Sequence, residues 1–95
     1  MSRETTSPRM TCLTPFRLGD LELRNRILCP AMESCLATPR GMVTDQLIAW
    51  YAARARGGAG MIVIEAASVS LSGRNFPNML CIYDDRHIPG LKKLT

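Results

Sequence analysis

Apolar and polar residues alternate over residues 16–23, with Phe16 and Leu18, then Leu21 and Leu23, on either side of Gly19-Asp20. A two-residue loop that opens on glycine is the type II′ signature, so this stretch is predicted to be a small β-hairpin. Ile27-Leu28-Cys29 follows as a short continuous apolar run between Arg26 and Pro30. Such a run suits a parallel strand buried on both faces, and Pro30 would end it. Residues 33–42 contain Pro39, Gly41 and several small or polar side chains and read as a loop.

The periodicity then changes. Leu47, Ile48, Tyr51, Ala52 and Ala55 recur at helical spacing, with Thr44 as N-cap, Asp45 at the positive end of the helix dipole, and Arg54 and Arg56 in the last turn. Gly57 is expected to be the left-handed stop. Residues 57–60 make a tight turn into Met61-Ile62-Val63-Ile64, a second apolar strand. Strand, loop, helix, turn, strand is one βαβ unit, which implies a parallel sheet with a right-handed crossover. Beyond Glu65 the pattern reads as a long loop over residues 66–84, with Gly73 and Pro77 inside it. A second helix is expected near Asp85 or at Pro89, since proline is tolerated at the first helical position. The sequence then stops about one and a half turns into that helix, as expected of a truncated chain.

Composition narrows the picture by exclusion. Ninety-five residues with 46% hydrophobic and 21% charged content exclude low-hydrophobicity disorder. The longest uninterrupted Ile/Val/Leu/Met run is residues 61–64, far short of the about 18 needed for a membrane helix. Residues 1–14 lack periodicity and an apolar signal core, and are expected to be a flexible leader. Cys12, Cys29, Cys35 and Cys81 form no C-x-x-C pair, and the one histidine, His87, completes no zinc spacing. Reduced thiols and a cytoplasmic location follow as expectations. The net charge of +4 is spread from Arg3 onward without a block of like charge, and aromatics are only 5%, which argues against a nucleic-acid platform.

Both strands lead at their carboxyl ends into long loops, and ligands collect there in α/β proteins. Residues 30–35 and 65–68 are therefore expected to line one face. The turn at residues 57–60 precedes a strand instead of opening a helix, which is the wrong order for a phosphate cradle.

The residues themselves resemble a family. The string L-x-L-x-N-R-I at Leu21 to Ile27 and P-A-M at Pro30 to Met32 are similar to the opening of the Old Yellow Enzyme / NADH:flavin oxidoreductase family. G-M-V-T-D at Gly41 to Asp45, Y-A-A-R-A-R-G-G-A-G-M-I at Tyr51 to Ile62, Glu65-Ala66, S-G-R at Ser72 to Arg74 and Y-D-D at Tyr83 to Asp85 continue it in order. The resemblance implies an α/β chain that is the N-terminal fragment of a (β/α)8 TIM barrel. Its bottom β-hairpin and first two βα units would occupy residues 15–95, truncated in the second helix.

It also implies an FMN-dependent oxidoreductase, ene-reductase-like, in which NADH or NADPH is the reductant and FMN passes hydride to an electron-poor alkene. FAD and an iron–sulfur cluster are added if the full-length protein is a long family member. The resemblance places flavin contacts at Pro30, Ala31, Met32, Glu33 and Ala66, and a substrate contact at Cys35. It assigns no catalytic residue and no metal ligand to this segment. The proton donor, the substrate-anchoring pair and the phosphate contacts belong to later strands. No nucleic acid or membrane partner is implied, and homo-oligomerisation of the full-length protein is left open. The rival reading is a non-catalytic α/β fragment that binds a nucleotide or a protein.

Two departures from the family pattern stand out. The usual strand-end order is Ala-Pro-Met, against Pro30-Ala31-Met32 here, and the next position, usually a small polar residue, is Glu33. An ionised carboxylate there would oppose the charge of a reduced flavin, so Glu33 is expected either to titrate high or to turn away. The plain alternative is a loop carboxylate facing water. Plain readings also hold that Glu65 pairs with an arginine in the barrel mouth, that His87 lies on the surface, and that Trp50 and Tyr51 pack the helix on the sheet.

Overall fold

The computed structural model describes residues 10–95, so most of the expected leader lies outside the described residues. Its last part is anchored. Thr11–Leu13 forms a 3-10 turn, and the Cys12 carbonyl accepts the Arg26 N–H at 2.9 Å. The Arg26 guanidinium donates to Thr14 Oγ1 at 3.1 Å and lies 5.0 Å over the Phe16 ring.

The hairpin forms as predicted. Strand β1 (Phe16–Leu18) pairs antiparallel with β2 (Leu21–Leu23), Leu18 opposite Leu21. Gly19 takes φ +58° and Asp20 does not follow it into positive φ, as a type II′ turn requires.

The βαβ unit is also present. β3 (Leu28–Cys29) and β4 (Met61–Ile62) pair in parallel, Leu28 opposite Met61, with α1 (Asp45–Arg56) between them. Burial on both faces is not observed: Leu28 is 53% exposed and Val63 39%. The reason is topological, because among the described residues β3 and β4 have only each other as neighbours.

The two ends of α1 are fixed by specific side chains. Thr44 Oγ1 accepts the Leu47 N–H at 3.0 Å and donates to the Leu36 carbonyl at 2.6 Å, tying the helix start to the loop after β3. At the other end the left-handed residue is Gly58 (φ +111°), not Gly57. Gly57 stays helical at φ −69° because its N–H still reaches the Ala53 carbonyl, so the reversal falls one residue later. Arg24 Nη2 donates to the Ala55 carbonyl at 2.8 Å, and Asn25 Nδ2 donates to the Gly58 carbonyl at 2.6 Å. Arg24 thus shares the Ala55 carbonyl with the Gly58 N–H, and Asn25 takes a carbonyl of the turn just past the helix, which gives the Arg24-Asn25 pair its structural role.

Residues 66–84 are not simply a loop. β5 (Ala67–Ser68) pairs in parallel with β6 (Leu80–Cys81). A 3-10 turn at Leu71–Gly73 lies between them, its Gly73 N–H held by Ser70 Oγ at 3.0 Å. This region clamps the loop after β3 by its backbone. The carbonyls of Ala37, Pro39 and Gly41 accept from Asn78 Nδ2 at 2.7 Å, Arg74 Nη2 at 2.6 Å and the Cys81 N–H at 3.0 Å. Gly41 (φ +80°) lies so close to Cys81 that a side chain there would overlap its Cβ and Sγ.

A 3-10 turn at Asp85–His87 leads into α2 (Ile88–Leu94), with Pro89 in its first turn. His87 is buried, which corrects the surface reading: its Nδ1 and Nε2 lie 3.1 Å and 3.4 Å from the carbonyl oxygens of Asp84 and Arg40. The core is small. Ala37, Leu47, Tyr51 and Leu80 are buried together, and Val43, Ile62, Ile64, Leu91 and Leu94 pack around them.

Candidate functional site

Parallel pairing of β3 with β4 brings their carboxyl ends side by side, and the Val63 N–H donating to the Cys29 carbonyl at 2.9 Å extends the pairing past the strands. Two sets of residues leave this edge. One is exposed and small or flexible: Pro30, Ala31 and Met32 after β3, and Ala66 after β4. The Ala31 and Met32 N–H groups make no hydrogen bond among the described residues. The other set turns inward. It consists of Glu33 and Ser34 from the first loop, Glu65 from the second, and Tyr51 from α1.

Glu65 is the centre of the inward set and is 3% exposed. Its Oε1 accepts from Ser34 Oγ at 2.7 Å and from the Tyr51 hydroxyl at 2.9 Å. The same hydroxyl accepts the Glu65 N–H at 2.8 Å, so one phenol satisfies both the backbone and the side chain of a single residue. The expected arginine partner is absent: among the described residues no arginine bridges to Glu65, and hydroxyls take the position instead.

Glu33 is half-buried, not a water-facing loop carboxylate, and both its oxygens are inaccessible and without a donor. Burial, reinforced by the neighbouring Glu65 carboxyl, pushes Glu33 up to about 7. The carboxyl is directed toward Glu65 and not to the open edge. Burial likewise pushes the Tyr51 phenol far above its usual range, with the two carboxylates adding to the effect. Tyr51 therefore stays a neutral hydroxyl.

Cys35 is exposed and adopts φ +57°, a left-handed backbone that non-glycine residues seldom take. Its thiol makes no hydrogen bond to the inward set. Cys12 is exposed, Cys29 half-buried and Cys81 buried, and all four thiols are free. Neither Ser34 nor the Tyr51 hydroxyl is marked as a site residue by any sequence pattern. The one available signal is a polar Tyr51 on an otherwise apolar helix face, followed by a carboxylate at the end of an apolar strand. Among the described residues no group of three or more metal-ligating side chains converges. No described helix is long and apolar enough to cross a membrane.

Known proteins match this arrangement. The profile of the NADH:flavin oxidoreductase / NADH oxidase family matches residues 12–95. A metal reductase from Desulforamulus reducens is 47% identical over 82 residues, covering 86% of this chain and 12% of that protein. A 4,4'-dithiodibutanoate disulfide reductase from Rhodococcus erythropolis is 44% identical over 91 residues, covering 96% of this chain and 22% of its own. The crystal structure of Old Yellow Enzyme from Pichia sp. AKU4542 superimposes with a TM-score of 0.81 at 27% identity, over 88% of this chain and 22% of that one. The chain thus spans 12% to 22% of the length of these three proteins. The architecture is that of the hairpin and first two βα units of a (β/α)8 barrel, with no closed sheet of its own.

Proposed function

Since the chain belongs to the NADH:flavin oxidoreductase / NADH oxidase family, we propose that it forms the flavin-facing start of an FMN-dependent NAD(P)H oxidoreductase of the ene-reductase type. The observation that carries this reading is the exposed strand-end edge, where small side chains and unengaged backbone N–H groups lie together. A flat ring system needs close approach and in-plane donors. Ala31 and Ala66 supply the first, and the Ala31 and Met32 amides the second. A bound flavin supplies the two-electron chemistry between the nicotinamide and an electron-poor alkene.

The chain's own part is binding and positioning. Pro30, Ala31, Met32 and Ala66 border the ring, Glu33 backs it, and Cys35 stands toward substrate at the loop edge. The inward Glu65–Tyr51–Ser34 hydrogen bonds hold the loop after β3 against the end of β4, which fixes the border residues relative to one another. Residues 1–95 span 12% and 22% of the two reductases they resemble, so alone they are expected neither to retain flavin nor to turn over substrate.

The test uses the barrel that contains this segment, either as a longer native protein or with residues 12–95 set into the Rhodococcus erythropolis reductase. The purified protein should be yellow and should oxidise NADH or NADPH when given an activated alkene. Ala66→Trp places an indole on an exposed edge position, so it should remove flavin absorbance while circular dichroism stays unchanged. A folded Ala66→Trp protein with its full flavin complement would overturn the assignment.

A further inference from the structure

We propose that Glu33 and Glu65 share one proton and act as a positioning pair behind the strand-end edge, fixing the charge presented there to a bound flavin. This rests on the flavin role proposed above. The Glu33 and Glu65 carboxyls are neighbours in this cluster, and hydroxyls satisfy only Glu65 Oε1. Glu65 Oε2, Glu33 Oε1 and Glu33 Oε2 are inaccessible to solvent and have no donor among the described residues. Glu65, at 3% exposure, cannot escape to water. Orphaned acceptors of this kind are costly, and a second like charge beside the first is costlier.

A single proton removes both problems. As a neutral acid Glu33 becomes a donor, its O–H pointing to the free Glu65 oxygen, while Glu65 keeps its charge and its two hydroxyl bonds. The pair then carries one negative charge and one proton, the arrangement two carboxylates adopt when they cannot both ionise. Among the described residues no cation pairs with either carboxyl. The ion pairs of the described residues join Arg17 to Asp20 and Glu22, Arg86 to Asp84, and Lys93 to Asp45, none of them at this cluster. The groups that face Glu33 are the Glu65 carboxyl, the neutral Tyr51 phenol on α1, and the Cys35 amide, which favours the charged form but does not reach hydrogen-bond geometry with either oxygen. The upward displacement of Glu33 has the same two causes, burial and Glu65.

This accounts for a carboxylate where the resembled family places a small polar group. As a neutral acid hydrogen-bonded inward, Glu33 adds no second charge next to the ring. Above about pH 7 it would.

Infrared spectroscopy of the folded barrel reads the proton directly. Below pH 7 the wild type should show the carbonyl stretch of a neutral carboxylic acid, displaced in D2O and lost as pH rises through about 7. Glu33→Gln should abolish the band. Glu65→Gln should move its titration to lower pH, because Glu33 then has no like charge beside it. A wild type without the band below pH 7, or a band that survives in Glu33→Gln, overturns the shared proton. A band that vanishes only when a monovalent or divalent cation is added shows a cation site and also overturns it. The flavin midpoint potential against pH tests the positioning role: an inflection near pH 7 should be present in the wild type and lost in Glu33→Gln. An identical profile in both proteins overturns that role. The infrared band needs no flavin, so failure of the proposed function, a colourless barrel, is distinguishable from failure of the shared proton.

Discussion

Tyr51→Phe removes one oxygen atom from the core and leaves the ring in place, so its effect isolates the two bonds that oxygen makes. The hydroxyl accepts the buried Glu65 N–H at 2.8 Å and donates to the Glu65 carboxylate at 2.9 Å. Losing the first leaves a buried amide without a partner, at a cost of about 1–3 kcal/mol, and losing a bond to a charged acceptor costs about 1.5–3 kcal/mol more. Ser34 still donates to the same carboxylate oxygen at 2.7 Å, which offsets part of the second loss. A net destabilisation of about 2–4 kcal/mol follows, a large share of the total stability of a typical domain. The assay is urea unfolding of the barrel at pH 7, read by tryptophan fluorescence, with Tyr83→Phe as control. The Tyr83 hydroxyl makes no hydrogen bond among the described residues, so its loss should stay within about 0.5 kcal/mol. Equal midpoints for Tyr51→Phe and Tyr83→Phe would refute the reasoning, because Glu65 would then not depend on the phenol.

Gly41→Ala meets two penalties together, a left-handed backbone (φ +80°) and overlap with the Cys81 side chain, for a loss of about 2–5 kcal/mol in the same urea assay. Cys81→Ala in the same chain should recover only the share due to Sγ, because the Cβ of residue 81 and the left-handed backbone at residue 41 are unchanged. Thr44→Ala should cost about 1–2 kcal/mol, at the upper end of capping effects because Oγ1 also donates to Leu36. Glu33→Gln has a defined sign. The folded-state value is raised from 4.5 to about 7, so the stability the proton confers is complete below about 4.5 and lost as pH rises through 7. After discounting for partial exposure, Glu33→Gln should be more stable than wild type above pH 7 by about 1–2 kcal/mol and show a flatter stability profile in urea titrations run across that range. The 95-residue chain alone should unfold without a sharp cooperative transition in thermal circular dichroism, since Leu18, Leu21, Leu28 and Met32 remain 48%, 52%, 53% and 49% exposed. A steep monomeric transition at micromolar concentration would count against that expectation.

Elements marked by several agreeing signals were legible in the sequence and those marked by one or none were not. Twelve residues of α1 carry an apolar stripe, a capping threonine and a glycine stop, three signals that agree. The hairpin has its glycine turn and matched alternation. β5 and β6 pair through only two residues each, and the polar Ser68 denies β5 the continuous apolar run by which β3 and β4 were read. His87 was misplaced for a related reason. Its neighbours in sequence, Asp84, Asp85 and Arg86, are exposed, and what buries it is the carbonyl of Arg40, far away along the chain. The strand-end location of the site was readable from βαβ order alone. The Glu65–Tyr51 bond was not, because it joins a helix side chain to a strand end and neither residue departs from its own element's pattern.

The exposed and the buried halves of this edge depend on each other. A planar ligand is recognised by residues that contribute little bulk, and such residues pack poorly and hold their backbone weakly. The loop after β3 has no regular structure from Pro30 through Leu36, so its own backbone bonding does not fix it. What fixes it are side chains reaching in from three directions: Thr44 to the Leu36 carbonyl, Ser34 to Glu65, and Asn78 to the Ala37 carbonyl. A carboxylate at residue 33 would be expected to disturb that arrangement if it carried full charge into a pocket already holding Glu65. With one proton between them, the second carboxyl becomes another link from the loop to the end of β4, and the loop is held on its inner side without adding bulk to its outer one.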